Sequence, residues 1–472
     1  MTPPFPSDAD RAVSLSDPPC DVTSPTPLLT AGGDDPERFD PLEAWYPVAF
    51  VADLDQGKPT AFTLLEKDLV IWWDRQASQW RVFGDRCPHR LARLSEGRIN
   101  GQGLLECPYH GWAFAGQGDC QVIPQQEPEG TAHNSPRACA RSYPATVAQG
   151  LLFVYPGTGD RAGKTPTPVI SPMAEQPDGW VCIDTFRDLP YDAFTLLENV
   201  LDSSHLPFTH HRSVGNRANA APVNLALAAT GKQGFSGVWA EGPRRGKLGR
   251  QDTMFIAPNL MWHDLTSPQF GRTMTVVYAT PIRPGQCRLF ARFPFRFNSS
   301  LPKLIFGLTP RWWGHVGQNA ILEDDQIFLH HQERYFADDG GVNHPAQTYF
   351  LPTRADLFVL ELHRWLQKFQ SHPFAGRDLS PALSRVQLLE RYHSHTKHCA
   401  SCRRALMWIG RSRVLLACLG FGSLAAGAGL ELWALGAIAP AFSAFLWWQL
   451  GRFEQKFYRG EETPARNREP KR

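Results

Sequence analysis

Two short segments, Cys87-Pro88-His89-Arg90 and Cys107-Pro108-Tyr109-His110-Gly111-Trp112, each set one cysteine beside one histidine. Each follows a strand-like run, so the pairs belong on two loops of a β domain, and the chain must fold so that those loops converge. Two thiolates and two neutral imidazoles suit a [2Fe-2S] cluster in which His replaces Cys on one iron, which raises the reduction potential. Compact zinc modules favour C-x2-C and H-x3-H spacings, whereas these are C-x-H and C-x2-H. The pattern therefore predicts an electron relay.

The surrounding pattern divides the chain. Between Trp45 and Tyr155, apolar runs at 69–73, 80–83 and 151–155 alternate with Gly, Pro and Asp, which predicts an all-β domain over 41–160. The 40 prolines and 39 glycines among 472 residues exceed average usage and favour loops and short strands. Lys164 to Gln176 is proline-rich and reads as a linker, 161–176. Thr195 to His211 has helical spacing interrupted at Pro207. Strands return between Val223 and Phe297, where Leu289, Ala291, Phe293, Phe295 and Phe297 alternate with Arg288, Arg292 and Arg296, one face buried and the other cationic. Helical spacing follows over 316–335 and 355–369. Residues 177–392 are thus expected to be α+β, a curved antiparallel sheet with helices packed on it.

A second constellation begins at Asn199 and Asp202 and continues to His205 and His210. Pro207 disfavours α conformation at Leu206, so the two histidines should approach a metal from a helix end and the turn after it. Two imidazoles with one carboxylate form the facial triad of non-haem Fe(II) oxygenases, which leaves positions open for O2 and substrate. The carboxylate must then come from far along the chain. On a helical wheel over 321–332, Asp325 falls within the stripe of Ile321, Phe328 and Leu329, Asp324 at its edge and Glu323 outside it. A buried unpaired carboxylate is costly, so Asp325 calls for a cation. Asp202 can cap or solvate the helix before His205. His211, His330 and His331 read as structural or pocket-lining.

Residues 393–413 are rich in histidine and contain Cys399 and Cys402. The C-x2-C pair is half a zinc site, a redox pair whose thiolate Lys397, Arg403 and Arg404 favour, or a solvated linker with incidental cysteines. As a redox pair it would be a thiol switch restored by a thioredoxin. Apolar stretches at 414–430 and 432–450 follow, separated by Glu431, each near the minimum of about 17 to 20 residues for a membrane span. Arg403, Arg404, Arg411 and Arg413 precede them, and Arg452, Lys456 and Arg459 open a basic tail over 451–472. The positive-inside rule puts both ends on the cytosolic side, with Glu431 at the far turn. A soluble hairpin packed on the protein is the alternative. Residues 1–40 are rich in Pro, Ser and acids and match neither a signal nor a transit peptide, so they are expected to be a disordered tail. With 48 Lys+Arg against 46 Asp+Glu the net charge is +2, without the basic excess a nucleic-acid surface supplies. Ten cysteines in so long a chain are too sparse for a disulfide framework and indicate a reducing compartment.

The CPHR and CPYHGW segments resemble the Rieske motif of ring-hydroxylating oxygenases. With Asp202, His205 and His210 in a D-x2-H-x4-H pattern, a later Asp, a C-x2-C and an apolar hairpin, the chain resembles the pheophorbide a oxygenase-like group from Trp45 to about Tyr458. That group includes chlorophyllide a oxygenase and the Rieske subunit of the plastid import translocon. The resemblance implies a helix-grip (START-like) catalytic domain, a Rieske cluster on Cys87, His89, Cys107 and His110, and mononuclear Fe(II) on His205, His210 and Asp325. It also implies that Asp202 bridges a Rieske histidine of one subunit to an iron-ligand histidine of its neighbour in a homotrimer, and that Asn199 is a polar group near the iron. The implied activity is oxygenation of a chlorophyll-derived tetrapyrrole, pheophorbide a or chlorophyllide-like, with O2 and electrons from ferredoxin. No G-x-G-x-x-G follows a strand, so the reductase is expected to be a separate protein. The missing transit pattern suggests a cyanobacterial or other bacterial relative, anchored in a thylakoid or cytoplasmic membrane with its catalytic domains on the cytosolic side. The competing reading is a non-catalytic, redox-sensing Rieske subunit of a membrane complex, against which the complete triad argues.

Overall fold

The computed structural model of the protein describes residues 38–267, 271–341, 344–429 and 433–468. The expected tail up to residue 37, the turn at Glu431 and the end of the basic tail lie outside the described residues. The period-two runs of the first domain fold as β1 (Tyr46–Phe50), β2 (Thr60–Leu64), β3 (Lys67–Asp74), β4 (Gln79–Gly84), β5 (Arg98–Ile99), β6 (Leu105–Glu106), β7 (Ala113–Phe114), β8 (Cys120–Val122), β9 (Ser142–Tyr143), β10 (Ala145–Ala148) and β11 (Leu151–Val154). They pair in the orders β1-β11-β10, β2-β3-β4-β9 and β5-β6-β7-β8. Trp72, Phe83, Leu105 and Phe114 pack in one buried cluster with Cys87 and Cys107, so the cysteine loops are rooted in the core.

The second domain is a sheet ordered β12-β18-β17-β16-β15-β14-β13. Its strands are β12 (Val181–Leu189), β13 (Leu225–Gly231), β14 (Gly234–Trp239), β15 (Gln251–Ile256), β16 (Leu260–Ser267), β17 (Gly271–Arg283) and β18 (Gln286–Arg296). Because β12 and β13 are opposite edges, the chain must cross the sheet between them, and that crossing carries α1 (Ala193–Leu201) and α2 (Leu206–Thr209). Asp192 starts α1 by accepting from the Phe194 and Thr195 N–H groups, both at 2.8 Å, and the helix buries Phe194, Leu196, Leu197 and Leu201. After the sheet come α3 (Ser300–Leu308), α4 (Arg311–Asp338) and α5 (Leu357–Phe369). The helix expected over 195–211 is therefore broken at Asp202–His205, ahead of Pro207.

On the cationic face of β18, Arg288 and Arg292 are buried against the first domain, whereas Arg296 is exposed. Arg288 and Arg292 face Asp188 and Asp184 across the β12 ladder, with Nε to Oδ1 distances of 2.5 and 3.0 Å. They also donate to the carbonyls of Val48 and Gln149 in the first domain, at 3.3 and 2.6 Å. Neutralised by neighbours on their own sheet, these cations can bind backbone at the joint. The proline-rich 161–176 segment is a packed strap, with Ile170 fully buried and the Thr165 and Pro168 carbonyls accepting from Trp45 and Tyr278.

The boundary expected between 413 and 414 is absent, because α6 (Ala400–Gly429) runs from the cysteines into the apolar stretch without a break. It packs along α7 (Trp433–Glu454). Among the described residues one helix segment, Ala400–Gly427, is long and apolar enough to cross a membrane, and only 11% of its most apolar window is buried. Val414, Leu419, Phe421, Ile438 and Phe442 are all more than half exposed on this chain. The basic tail also differs from expectation: Phe457 is buried, and the Tyr458 carbonyl accepts from the Arg391 N–H at 2.9 Å, so the chain returns to the catalytic domain.

Candidate iron centres

The two cysteine loops share one construction. In each, the cysteine N–H donates to the carbonyl five residues on (Cys87 to Ala92, Cys107 to Trp112, both 2.8 Å) and its carbonyl accepts from the N–H four residues on (Leu91 at 2.9 Å, Gly111 at 3.2 Å). Closing such a loop needs positive φ at that fourth residue, and Leu91 has +61° and Gly111 +74°. A Cβ at Gly111 would also meet Pro124 Cγ at 3.1 Å. The buried Cys87 and Cys107 side chains touch, while the rings of His89 and His110 lie 4.6 Å apart nearer the surface. Burial pushes the Cys87 thiol up to about 12, so a thiolate there needs a cation to hold it. Trp112 stacks on His89 at 4.6 Å, and buried Asp85 ties the adjoining loop by accepting from Ser95 Oγ and Arg93 Nε at 2.6 and 2.9 Å. Two inner sulfurs and two outer imidazoles fit a cluster with one iron on each pair.

At the second site His205, His210 and Asp325 present one ligand atom each within 4.8 Å of one another. Asp325 Oδ2 lies 3.2 Å from His210 Nε2, and Oδ1 lies 4.0 Å from His205 Nε2. The Nδ1 of His205 faces the Asp202 carbonyl, and the Nδ1 of His210 faces Asp324 Oδ2 at 3.5 Å, which leaves each Nε2 for a metal. Burial would lower His210, but Asp324 and Asp325 outweigh it and raise it to about 9, so proton and metal compete for this ring. Asp325 Oδ1 is buried and accepts no hydrogen bond among the described residues. An orphaned carboxylate oxygen aimed at two imidazoles fits a divalent metal, and the three residues could hold one on a single face.

Asp202 Oδ1 closes a local turn by accepting from the Ser204 N–H at 2.7 Å, and its side chain remains 30% exposed. Asn199 sits half-buried on α1 and makes no side-chain hydrogen bond among the described residues. The acids before Asp325 depart from the wheel. Glu323, expected outside the stripe, is buried between Arg187 Nη1 at 2.8 Å and Arg391 Nη2 at 2.6 Å. Phe328, expected inside, is exposed beneath Arg466, whose guanidinium lies 5.7 Å from the ring. The reason is that α4 is covered by the 385–396 and 455–468 segments as well as by the sheet, so one apolar stripe does not describe its buried surface.

Two supporting residues escaped the sequence reading. Arg466, from the returning tail, donates to the Asp324 carbonyl at 2.8 Å and to the Thr209 carbonyl at 3.1 Å, clamping both flanks of the triad. His263 on β16 holds the end of α1 by donating from Nε2 to the Val200 carbonyl at 2.9 Å, and burial lowers it to about 4, so it stays neutral. Local sequence carries no signal for either. His330 is structural, bonded to the Pro190 carbonyl at 2.6 Å, and His211 is half-buried, its Nδ1 accepting from the Arg217 N–H at 3.3 Å. Cys399 and Cys402 are buried, which excludes the solvated linker.

The chain matches the Rieske [2Fe-2S] domain over residues 44–144 and the pheophorbide a oxygenase family over residues 255–343. It is 38% identical over 433 residues to the chloroplastic pheophorbide a oxygenase of Oryza sativa subsp. japonica, covering 85% of this chain and 78% of that protein. Over 309 residues it is 27% identical to the chloroplastic chlorophyllide a oxygenase of Arabidopsis thaliana, covering 61% and 52%. In fold it is similar to the Pseudomonas putida CBB5 NdmA QL mutant with caffeine (TM-score 0.56, 20% identity, 73% of this chain and 98% of that one). Dicamba monooxygenase bound to dicamba gives a TM-score of 0.55 at 20% identity, over 70% and 97%. A relationship that spans most of two whole proteins, on the fold of solved Rieske enzymes, makes this chain a member of the pheophorbide a oxygenase-like group of Rieske non-haem iron oxygenases, which work with a [2Fe-2S] cluster and a mononuclear iron.

Proposed function

We propose that the protein is a membrane-anchored oxygenase of a chlorophyll-derived tetrapyrrole, pheophorbide a or chlorophyllide-like. Cys87, His89, Cys107 and His110 hold the cluster, and His205, His210 and Asp325 hold the iron. The observation that carries this reading is the buried, unsatisfied Asp325 Oδ1 facing two tautomer-fixed histidines in a chain whose curated relatives include pheophorbide a oxygenases. Fe(II) held by two imidazoles and one carboxylate supplies open positions for O2 and substrate. The chain's own residues do the positioning. The Asp202 carbonyl and Asp324 orient the rings, and Arg466 and His263 hold the segments that bear them.

The second domain is of the helix-grip type, its edge-to-edge crossing passing α1 over the sheet. Asp202, half outside the fold, accepts a hydrogen bond from a cluster histidine of a neighbouring copy in a homotrimer, and Asn199 lies near the iron. Electrons come from ferredoxin, which a separate reductase reduces. The apolar pair α6 and α7 enters the bilayer as a hairpin, and Arg411, Arg413 and Arg452 lie over Trp408, Trp447 and Trp448 at its base. Such a basic and aromatic belt belongs at the membrane surface on the cytosolic side, where a lipid-soluble pigment can reach the catalytic domain. Full-length protein in detergent, supplied with reduced ferredoxin and O2, should consume pheophorbide a. Ferredoxin oxidation at the same rate with and without the pigment would contradict the proposal.

A further inference from the structure

Away from both iron centres, four potential ligands meet in the core. His315 lies near the start of α4, His395 in the turn before α6, Cys399 just ahead of that helix and Cys402 in its first turn. All four are at most 1% exposed, and their ligand atoms lie within 4.8 Å of one another. His315 Nε2 is 2.8 Å from the Asp184 carbonyl and His395 Nδ1 is 2.6 Å from the Phe186 carbonyl, both on β12. A carbonyl only accepts, so those nitrogens carry the hydrogens. The remaining nitrogens, His315 Nδ1 and His395 Nε2, then present lone pairs to each other at 3.2 Å. They also face sulfur, with Cys402 Sγ 3.4 Å from His315 and 3.3 Å from His395, and Cys399 Sγ 3.4 Å from His315. Weak S–H donors can reach the nitrogens but leave the two lone pairs opposed.

A cation at the centre resolves every one of these contacts. Zn–S bonds of about 2.3 Å and Zn–N bonds of about 2.0–2.1 Å at tetrahedral angles imply about 3.3 Å between nitrogens and about 3.5 Å between nitrogen and sulfur. The observed 3.2 Å and 3.3–3.4 Å match that tetrahedron. The same spacing is too tight for a two-iron cluster, which would separate the sulfur pair from the imidazole pair. Backbone carbonyls behind both histidines are the arrangement that orients metal-bound imidazoles. We propose that His315, His395, Cys399 and Cys402 bind a single zinc ion. The zinc fastens the base of the apolar helix pair to the helix that carries Asp325. Neighbouring contacts serve the same joint: buried Asp53 of the first domain accepts from the Ala400 N–H at 2.9 Å and pairs with Arg311 Nη2 at 3.1 Å, and Ser401 Oγ accepts from the Trp312 N–H at 3.2 Å.

Full-length protein purified in detergent without chelator should contain about one zinc per chain beside its iron, and zinc-edge X-ray absorption should fit a shell of two sulfurs and two nitrogens. The double variant Cys399→Ser, Cys402→Ser should lose roughly tenfold or more of that zinc while the Rieske spectrum on reduction persists. Because that variant can fail to fold, the unmodified protein expressed with cobalt provides a second readout. It should show the intense visible bands of tetrahedral, thiolate-bound cobalt. Protein with native Rieske spectra but no zinc, a zinc shell of oxygen and nitrogen alone, or Cys399 and Cys402 recovered as a disulfide would overturn the proposal.

Discussion

Asp325 is the side chain whose surroundings make least sense without a cation, since burial strips its water and one oxygen receives no hydrogen bond from the described residues in exchange. Asp325→Ala should therefore lose the mononuclear iron while keeping the Rieske signal, a result read by metal content and electron paramagnetic resonance on one sample. Asp202 differs in kind: it is part-exposed and touches the triad through its carbonyl, so Asp202→Asn should retain both centres and stop turnover. Normal turnover in that variant would remove its bridging role. Glu333, further along α4, carries a pH dependence of its own. Burial, with the Asp192 carboxylate adding to it, pushes its carboxyl from 4.5 up to about 8. The folded state thus binds this proton more tightly than the unfolded chain, so the stabilisation is complete below about 4.5 and is lost as pH rises toward about 8. Glu333→Gln keeps an acceptor for the Asp192 N–H, at 2.9 Å from Oε1, and should unfold at a higher temperature than the parent at pH 8–9 but not at pH 5. Asp325 was legible from helical spacing because one face of α4 does meet the histidines. Glu323 was not, since its partners Arg187 and Arg391 come from distant segments that no local period encodes.

Among the elements, α4 is where the sites converge: His315, Glu323, Asp325 and Glu333 all lie on it. Its existence follows from sequence spacing, but its environment does not, because a helix covered on several sides loses the amphipathic contrast that spacing detects. Glu323 shows the consequence. It lies between two guanidinium groups that are themselves buried, so Glu323→Ala leaves two uncompensated cations and should cost roughly 3 to 5 kcal/mol in denaturant unfolding. A loss below about 1 kcal/mol would mean that water or other acceptors solvate Arg187 and Arg391. The cluster loops were the most legible element of all. Their chemistry is local, each cysteine closing its own turn within six residues, as the Cys87–Ala92 and Cys107–Trp112 bonds show.

At the scale of the whole molecule, the apolar helices are an excursion from the fold. Arg413 and Glu454 pair at their base, and the chain then returns so that Phe457 and Arg466 pack on the catalytic domain. Removing everything from Val414 onward would therefore strip Arg466 from the His205, His210 and Asp325 site together with the apolar helices. Replacing Val414–Phe453 with a short Gly/Ser loop should instead give protein that stays in solution without detergent and keeps both iron centres, as judged by sedimentation and metal content. The sequence marked the apolar stretches and missed the return, because Arg466 has meaning only beside Asp324 and Thr209. The central claim is that the paired centres turn over a tetrapyrrole, and a single-turnover experiment tests it most directly. Fully reduced protein, loaded anaerobically with pheophorbide a and then exposed to isotopically labelled O2, should yield a product whose mass shows oxygen from the labelled gas as the cluster is oxidised. Cluster oxidation with the pigment recovered unchanged and unlabelled would contradict the account and leave a redox subunit without catalysis.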